Sequence, residues 1–438
     1  MTVNGLVTMS RSLCIAAALA CTLAVASPAR AATQADLEAK VAALAEQLQE
    51  VQRELAALKS QQQPASVPAA IATPAAPAAM AATGRSEPDN QGVNWFGYGE
   101  INYSRPTEDS SGTTADVGRF VLGASYRFDE KTRFISELEV EHAIASADDA
   151  GEVEVEQAWI ERELSDTIYA KFGLFLIPSG LLNESHEPTR YYGVFRNFVE
   201  TQIIPTTWRE IGAALEGNTE AGWRWDVGIT TGHDLSAWDA TSEEGLESPL
   251  GSIHQEGQLA RAGDLSSFGA LNYTGIPGLR VGGSVVYGDI SQGQPGFDSN
   301  KLLLWEGHAR WTPGAWDLSA LYARGEISDT AAINLTLVGN PVLIPESFYG
   351  WYAQAAYVAT LPNSWTLAPF ARFERVNTGA SYAFIGAGLT PAALEAEEVT
   401  TVGINLNIAS GVVFKLDYQM FDLNSSADRI DLGLGYAF

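Results

Sequence analysis

Six glutamates stand at alternate positions in two nearby stretches of this chain. Glu137, Glu139 and Glu141 are separated by Leu138 and Val140, and Glu152, Glu154 and Glu156 by Val153 and Val155. Alternation with period two puts the carboxylates of each stretch on one face of a strand and the aliphatic side chains on the other. Carboxylates facing hydrocarbon are costly, so all six are expected to point into an aqueous lumen as an acidic strip. Arg119, Arg133, Arg162, Arg209, Arg310 and Arg372 are available to face it. Such a strip has two readings. Either it sets up a transverse field that orients charged solutes, or it is a satisfied salt-bridge network that stiffens the wall.

A second group of charges lies in residues 178–207, IPSGLLNESHEPTRYYGVFRNFVETQIIPTT when Ile177 is included. For a connecting segment it is unusually apolar: Leu181, Leu182, Tyr191, Tyr192, Phe195 and Phe198. Such residues predict packing inside a barrel, which makes this segment the expected constriction. Arg190, Arg196 and the following Arg209 are placed to meet a permeating anion. Glu184, Glu187 and Glu200 either repel it or hold the arginines, and on the alternative reading the charges only pin the segment. The five histidines, His142, His186, His233, His254 and His308, form no metal-ligand spacing and no Ser/His/Asp set. No catalytic residue, cofactor site or metal site is therefore read from the sequence.

The elements that must position these side chains are short strands. From Val93 to Phe438, sixteen alternating segments are separated by turn residues: 94–104, 116–128, 132–144, 152–164, 167–177, 208–216, 222–231, 265–274, 279–289, 301–311, 316–327, 347–361, 365–377, 397–409, 412–423 and 429–438. Short connections alternate with long ones, the asymmetry of an outer-membrane barrel. In the last segment Ile430, Leu432, Leu434, Tyr436 and Phe438 share one face, and Arg429, Asp431, Gly433, Gly435 and Ala437 the other. Aromatic residues near segment ends (Trp95, Tyr103, Phe128, Trp159, Tyr169, Trp311, Trp316, Trp365, Tyr418) fit interfacial girdles. The expected fold is all-β: a 16-stranded antiparallel transmembrane barrel over residues 93–438. Sixteen strands leave room for an aqueous channel.

Three segments precede it. Residues 1–31 read as a signal peptide, with Arg11, an apolar stretch from Leu13 to Ala26 and Ala29-Arg30-Ala31 at the cleavage site. Lipoprotein processing at Cys21 is the rival. Leu37, Val41, Leu44, Leu48, Val51, Leu55 and Leu58 form a heptad seam in residues 32–60, a periplasmic coiled coil or a single amphipathic helix. Residues 61–92 are a Pro/Ala-rich linker. The only cysteines, Cys14 and Cys21, fall in the signal segment, so the mature chain has no disulfide. The formal charge of −27 becomes more negative once Arg11 and Arg30 are removed, which excludes nucleic acid as a ligand.

Two stretches carry a resemblance to a known family. One runs from Glu187-Pro188-Thr189-Arg190-Tyr191-Tyr192-Gly193-Val194-Phe195-Arg196 through Val199-Glu200 to Ile204-Pro205-Thr206-Thr207-Trp208-Arg209-Glu210-Ile211-Gly212. The other is Gly151 to Ile160, GEVEVEQAWI, followed by Lys171-Phe172-Gly173. They resemble the phosphate-selective porin O and P superfamily. The resemblance implies 16 strands, an inward-folded third loop and arginine-lined passage of anions. Against that pattern, the barrel segment has four lysines only, Lys131, Lys171, Lys301 and Lys415, and the acidic strip opposes an anion funnel.

The sequence thus predicts an outer-membrane porin: a passive, non-catalytic channel for small hydrophilic solutes or ions, anions such as phosphate among them. Its expected partners are outer-membrane lipid, two further copies in a homotrimer, and the barrel-assembly machinery through the strand ending at Phe438. The alternative is a structural or adhesin barrel tethered to the envelope through the coil.

Overall fold

The computed structural model describes residues 92–146, 150–297 and 299–438. The signal segment, the heptad stretch and all of the linker except Gly92 lie outside the described residues.

The strands are β1 (Val93–Pro106), β2 (Thr114–Asp129), β3 (Thr132–Glu141), β4 (Val153–Ser165), β5 (Ile168–Leu176), β6 (Arg209–Asn218), β7 (Trp223–Thr230) and β8 (Ser266–Tyr273). They continue as β9 (Leu279–Asp289), β10 (Lys301–Trp311), β11 (Trp316–Ile327), β12 (Ser347–Tyr357, resumed at Ala359–Thr360), β13 (Thr366–Ser381), β14 (Glu397–Ala409), β15 (Val412–Phe421) and β16 (Arg429–Ala437). Each pairs antiparallel with its neighbours in sequence. β1 pairs with β16 from Tyr98↔Ala437 to Pro106↔Arg429, which closes the barrel. Phe438 finishes the seam, its N–H donating to the Gly97 carbonyl (2.9 Å) and its carbonyl accepting from Gly97 N (3.1 Å). Closure leaves no unpaired strand edge, the condition for spanning lipid with strands.

The alternation read from the sequence is the alternation of the wall. On β16 Ile430 and Leu432 are exposed outward, while Asp431 is fully buried. Trp95, Phe128, Trp311, Trp316 and Trp365 stand outside near strand ends, as a girdle requires. Trp159 does not. A bulge in the β3–β4 ladder sets Glu137 opposite Gln157 and Leu138 opposite Val155, leaving Glu156 as the extra residue. One extra residue reverses the parity of everything after it. Trp159 and Glu161 therefore turn inward and are buried, and Arg162 turns to the exposed rim beside Asp129. The expectation that Trp159 joins the girdle and Arg162 faces the acidic strip fails for that reason. β3 also ends at Glu141, short of 144, because His142 and Ala143 adopt φ of 52° and 62°, outside strand geometry.

The connection 178–207, hereafter loop 3, enters the barrel. Val199, Ile203, Ile204 and Trp208 are essentially inaccessible and pack with Phe175, Leu302, Leu304, Leu321 and Phe348 from the wall. Burying each such aliphatic side chain contributes about 1.5–3 kcal/mol, so the loop is held by a hydrophobic core of its own. Leu235, Leu250 and Ile253 from residues 232–264 and Ile333 and Ile344 from residues 328–346 complete that core.

Candidate functional site

Loop 3 is fastened to the far side of the barrel residue by residue. Tyr191 Oη donates to Glu100 Oε2 on β1 (2.8 Å), and Tyr192 Oη to Asp317 Oδ2 on β11 (3.0 Å). Val194 N donates to Asp417 Oδ2 on β15 (2.5 Å), and Phe198 N to Glu374 Oε1 on β13 (2.7 Å). Arg372 Nη1 donates to the Tyr192 carbonyl (3.1 Å) and Asn405 Nδ2 to the Tyr191 carbonyl (3.0 Å). Lys415 Nζ sits 3.6 Å from the centre of the Tyr191 ring, a close cation–π contact. Burial raises the Tyr191 hydroxyl above its ordinary pKa, and the Glu100 carboxylate adds to it. The phenol therefore stays a donor.

Glycines on the last strand make the approach possible. A Cβ on Gly435 would lie 2.5 Å from Pro188 Cβ, and one on Gly433 3.2 Å from Val194 Cγ1. The lumenal face of β16 is flat where loop 3 crosses it.

The charges named from the sequence divide among distinct tasks. Glu200 ties the loop to itself and to β12: Oε1 accepts from Leu181 N (2.6 Å) and Leu182 N (2.7 Å), and Oε2 from Asn197 Nδ2 (2.8 Å) and from Tyr352 Oη of β12 (3.0 Å). Glu184 pairs with Arg224 on β7 (2.8 Å) and more distantly with Lys171 (3.9 Å). Burial alone would raise the Glu184 carboxyl, but Arg224 and Lys171 hold it below the ordinary value. Arg196 donates to Thr207 Oγ1 (3.0 Å), and burial followed by repulsion from Arg119 lowers its pKa. It braces the base of the loop. The charged ends of Glu187 and Arg190 come no closer than 4.0 Å, so Arg190 is the loosest of these charges.

On the wall, Arg119 pairs with Glu100 (2.8 Å), Arg133 with Glu161 (2.8 Å), Arg209 with Glu154 (2.5 Å) and with Glu256 (3.0 Å), and Arg372 with Glu374 (2.6 Å). Of the acidic strip, Glu137, Glu139 and Glu156 are buried, Glu141 and Glu154 are half-buried, and Glu152 is exposed just before β4. In a sixteen-stranded ring, β3 and β4 lie six to eight strands from β11, β12 and β13, on opposite walls. Beside the loop tip, Arg190, Tyr192, Arg310, Ser319, Gln354 and Arg372 line a small cavity. One guanidinium nitrogen of Arg372, Nη2, is buried there without a hydrogen-bond partner. Arg310, Ser319 and Gln354 join this group only through the fold, because they stand on three separate strands.

Sequence reading also missed His186. In the fold it reaches the wall, where Nε2 lies 2.6 Å from Glu156 Oε1 and 2.7 Å from Tyr98 Oη.

Comparison with solved structures decides the fold. OmpF of Salmonella typhi in complex with daunomycin aligns with 79% of this chain and 97% of its own, with a TM-score of 0.55 and 13% identity. The fold is that of the outer-membrane porins. The outer-membrane channel DcaP of Acinetobacter baumannii covers the same share of this chain and 97% of its own, with a TM-score of 0.50 and 13% identity. In sequence, an uncharacterized protein of Aquifex aeolicus (strain VF5) is 28% identical over 351 residues, 77% of this chain and 78% of that one. No family model matches.

Proposed function

We propose that this chain is an outer-membrane porin, a passive channel for small hydrophilic solutes or ions, with loop 3 as its constriction. The observation that carries the reading is the tethering of loop 3 to β1, β11, β13 and β15 inside a closed barrel. A loop held at both walls narrows the lumen without a moving part. Solutes passing it meet carboxylates of the β3–β4 wall on one side and Arg190, Arg310 and Arg372 on the other. An anion is drawn to the second side, where Tyr192 and Gln354 add hydrogen-bonding groups. This favours small anions, phosphate among them, and membership of the phosphate-selective porin O and P superfamily. We assign no catalytic step. The barrel is expected in the outer membrane as a homotrimer, assembled through the strand ending at Phe438, with the heptad segment in the periplasm.

Planar-bilayer recording of the purified full chain tests this. Stepwise channels whose reversal potential in a salt gradient reports anion preference are expected. Absence of steps from the folded protein overturns the channel, and cation preference overturns the anion reading alone.

A further inference from the structure

We propose that Glu137, Glu156 and His186 form a binding site for one divalent transition-metal ion of the zinc type, which clasps loop 3 to the barrel wall. The ligand atoms, an oxygen from each carboxylate and a ring nitrogen, all lie within 4.8 Å of one another. Zinc takes nitrogen and carboxylate oxygen at about 2.0–2.2 Å, which sets neighbouring ligands about 3.4 Å apart in a tetrahedron. The His186–Glu156 contact has to open by under an ångström to admit the ion, a side-chain movement only.

Each ligand comes from a different element. Glu137 stands on β3, Glu156 is the bulged residue of β4, and His186 belongs to loop 3. His186 is oriented as metal-bound imidazoles are: Nδ1 lies 2.9 Å from the Asn183 carbonyl, which accepts that N–H, and Nε2 faces Glu156 at 2.6 Å, where a bound ion would take the place of the Nε2 proton. Tyr98 on β1 donates to Glu156 Oε2 (3.0 Å), and Gln157 Nε2 to Glu137 Oε2 (2.8 Å), so the ligands have outer partners as well. His186 and Glu156 are at most 3% exposed.

A separate observation points to a cation. Glu139, two residues from Glu137 on the same lumenal face, is 2% exposed, and its Oε1 has no hydrogen-bond partner among the described residues. Three buried carboxylates thus stand together; Glu156 has His186, while Arg119 turns Nε to Glu100 and Nη2 to the His186 carbonyl and has Nη1 unpartnered among the described residues. A buried carboxylate oxygen without a partner is costly, and a divalent cation at the neighbouring carboxylates relieves that cost. The imidazole selects a borderline metal over magnesium or calcium, which prefer oxygen throughout. The site does not depend on which solute the pore conducts.

Metal-free full-length protein in detergent, titrated with Zn2+ by calorimetry in the presence of millimolar Mg2+, tests the site. One zinc per chain is expected, and Co2+ in its place should give visible absorption that Zn2+ abolishes. His186→Gln and Glu156→Gln should each abolish the response, Tyr98→Phe should weaken affinity about tenfold or more, and Glu152→Gln should leave it unchanged. Binding unaffected by His186→Gln, or equal binding of Mg2+, overturns the site. If His186→Gln loses heat-modifiable migration on a gel, Glu137→Gln replaces it, since Gln157 still has an acceptor there, and undiminished zinc affinity in that variant likewise overturns the site. Metal binding is read without conductance, so its failure and that of the channel are separately visible.

Discussion

Replacing Glu200 by glutamine is the sharpest perturbation of loop 3, because one carboxylate serves four donors. Leu181 N and Leu182 N share Oε1, and Asn197 Nδ2 and Tyr352 Oη share Oε2. Glutamine keeps one acceptor oxygen. If that oxygen faces the two backbone N–H groups, the new NH2 meets the Asn197 amide nitrogen and the Tyr352 hydroxyl. If it is flipped, the NH2 meets two backbone donors that cannot rotate. Either way two hydrogen bonds to a charged acceptor are lost, each about 1.5–3 kcal/mol, and rotation of the tyrosine hydroxyl recovers about 1 kcal/mol. The docked loop is then weakened by roughly 2–5 kcal/mol, about one and a half to three and a half powers of ten in its docking equilibrium. Limited trypsin digestion of the folded protein should cut at Arg190 and Arg196 far faster than in wild type, and single-channel current should become larger and noisier. Wild-type rates of cleavage together with wild-type conductance would refute the role of Glu200 as the fastener of the loop.

Gly435→Val places a branched side chain where Cβ alone comes 2.5 Å from Pro188. Loop 3 has to shift by more than an ångström there, and bilayer conductance should change while the barrel still shows heat-modifiable migration. His233 is fully buried beside Trp208, and burial, with a smaller contribution from His254, lowers its pKa to about 3. The unfolded histidine therefore binds more protons than the folded one between pH about 6.5 and about 3, and stability falls with pH through that window by up to about 1.4 kcal/mol per unit. His233→Phe should flatten the acid loss, read as the difference in melting between about pH 7 and about pH 4; an unchanged difference refutes it. Arg190→Ala should move the reversal potential toward cations with little loss of stability.

The barrel was legible because its rule is local. A strand bordering lipid and water must alternate, and Ile430, Leu432 and Asp431 obey that rule in sequence and in the wall alike. The rule breaks where one residue is added. The bulge at Glu156 leaves no mark in composition, yet it brings Trp159 inside and sends Arg162 out. The apolar character of loop 3 foretold an inward fold, and its buried isoleucines bear this out. Its partners were not legible. Tyr191 meets Glu100 across 91 residues and Val194 meets Asp417 across 223, and no spacing encodes such contacts. His186 fell in the same gap. Read as one of five scattered histidines, it meets Glu156 only because the loop closes on the wall.

The choice of Arg190 over the other arginines follows from how the lumen is neutralised. Arg119, Arg133, Arg209, Arg310 and Arg372 each have a carboxylate on the barrel wall within 3 Å. Such pairs cancel at a distance, so the chain's large negative charge says little about the field a solute meets in the pore. Removing one member would expose its partner rather than subtract one charge. Arg372→Ala, for example, leaves the fully buried Glu374 alone, a change of about 3–5 kcal/mol that would loosen Phe198 and the loop with it. A shifted reversal potential in that variant would report structure as much as selectivity. Arg190 has only the 4.0 Å approach of Glu187 and already borders the cavity, so its removal subtracts a charge and leaves the tethers of loop 3 in place. If the arginine side of the pore attracts anions, Arg190→Ala must lower anion preference at unchanged melting temperature. An unchanged reversal potential would mean that the walls are neutral to passing ions and that loop 3 selects by size alone.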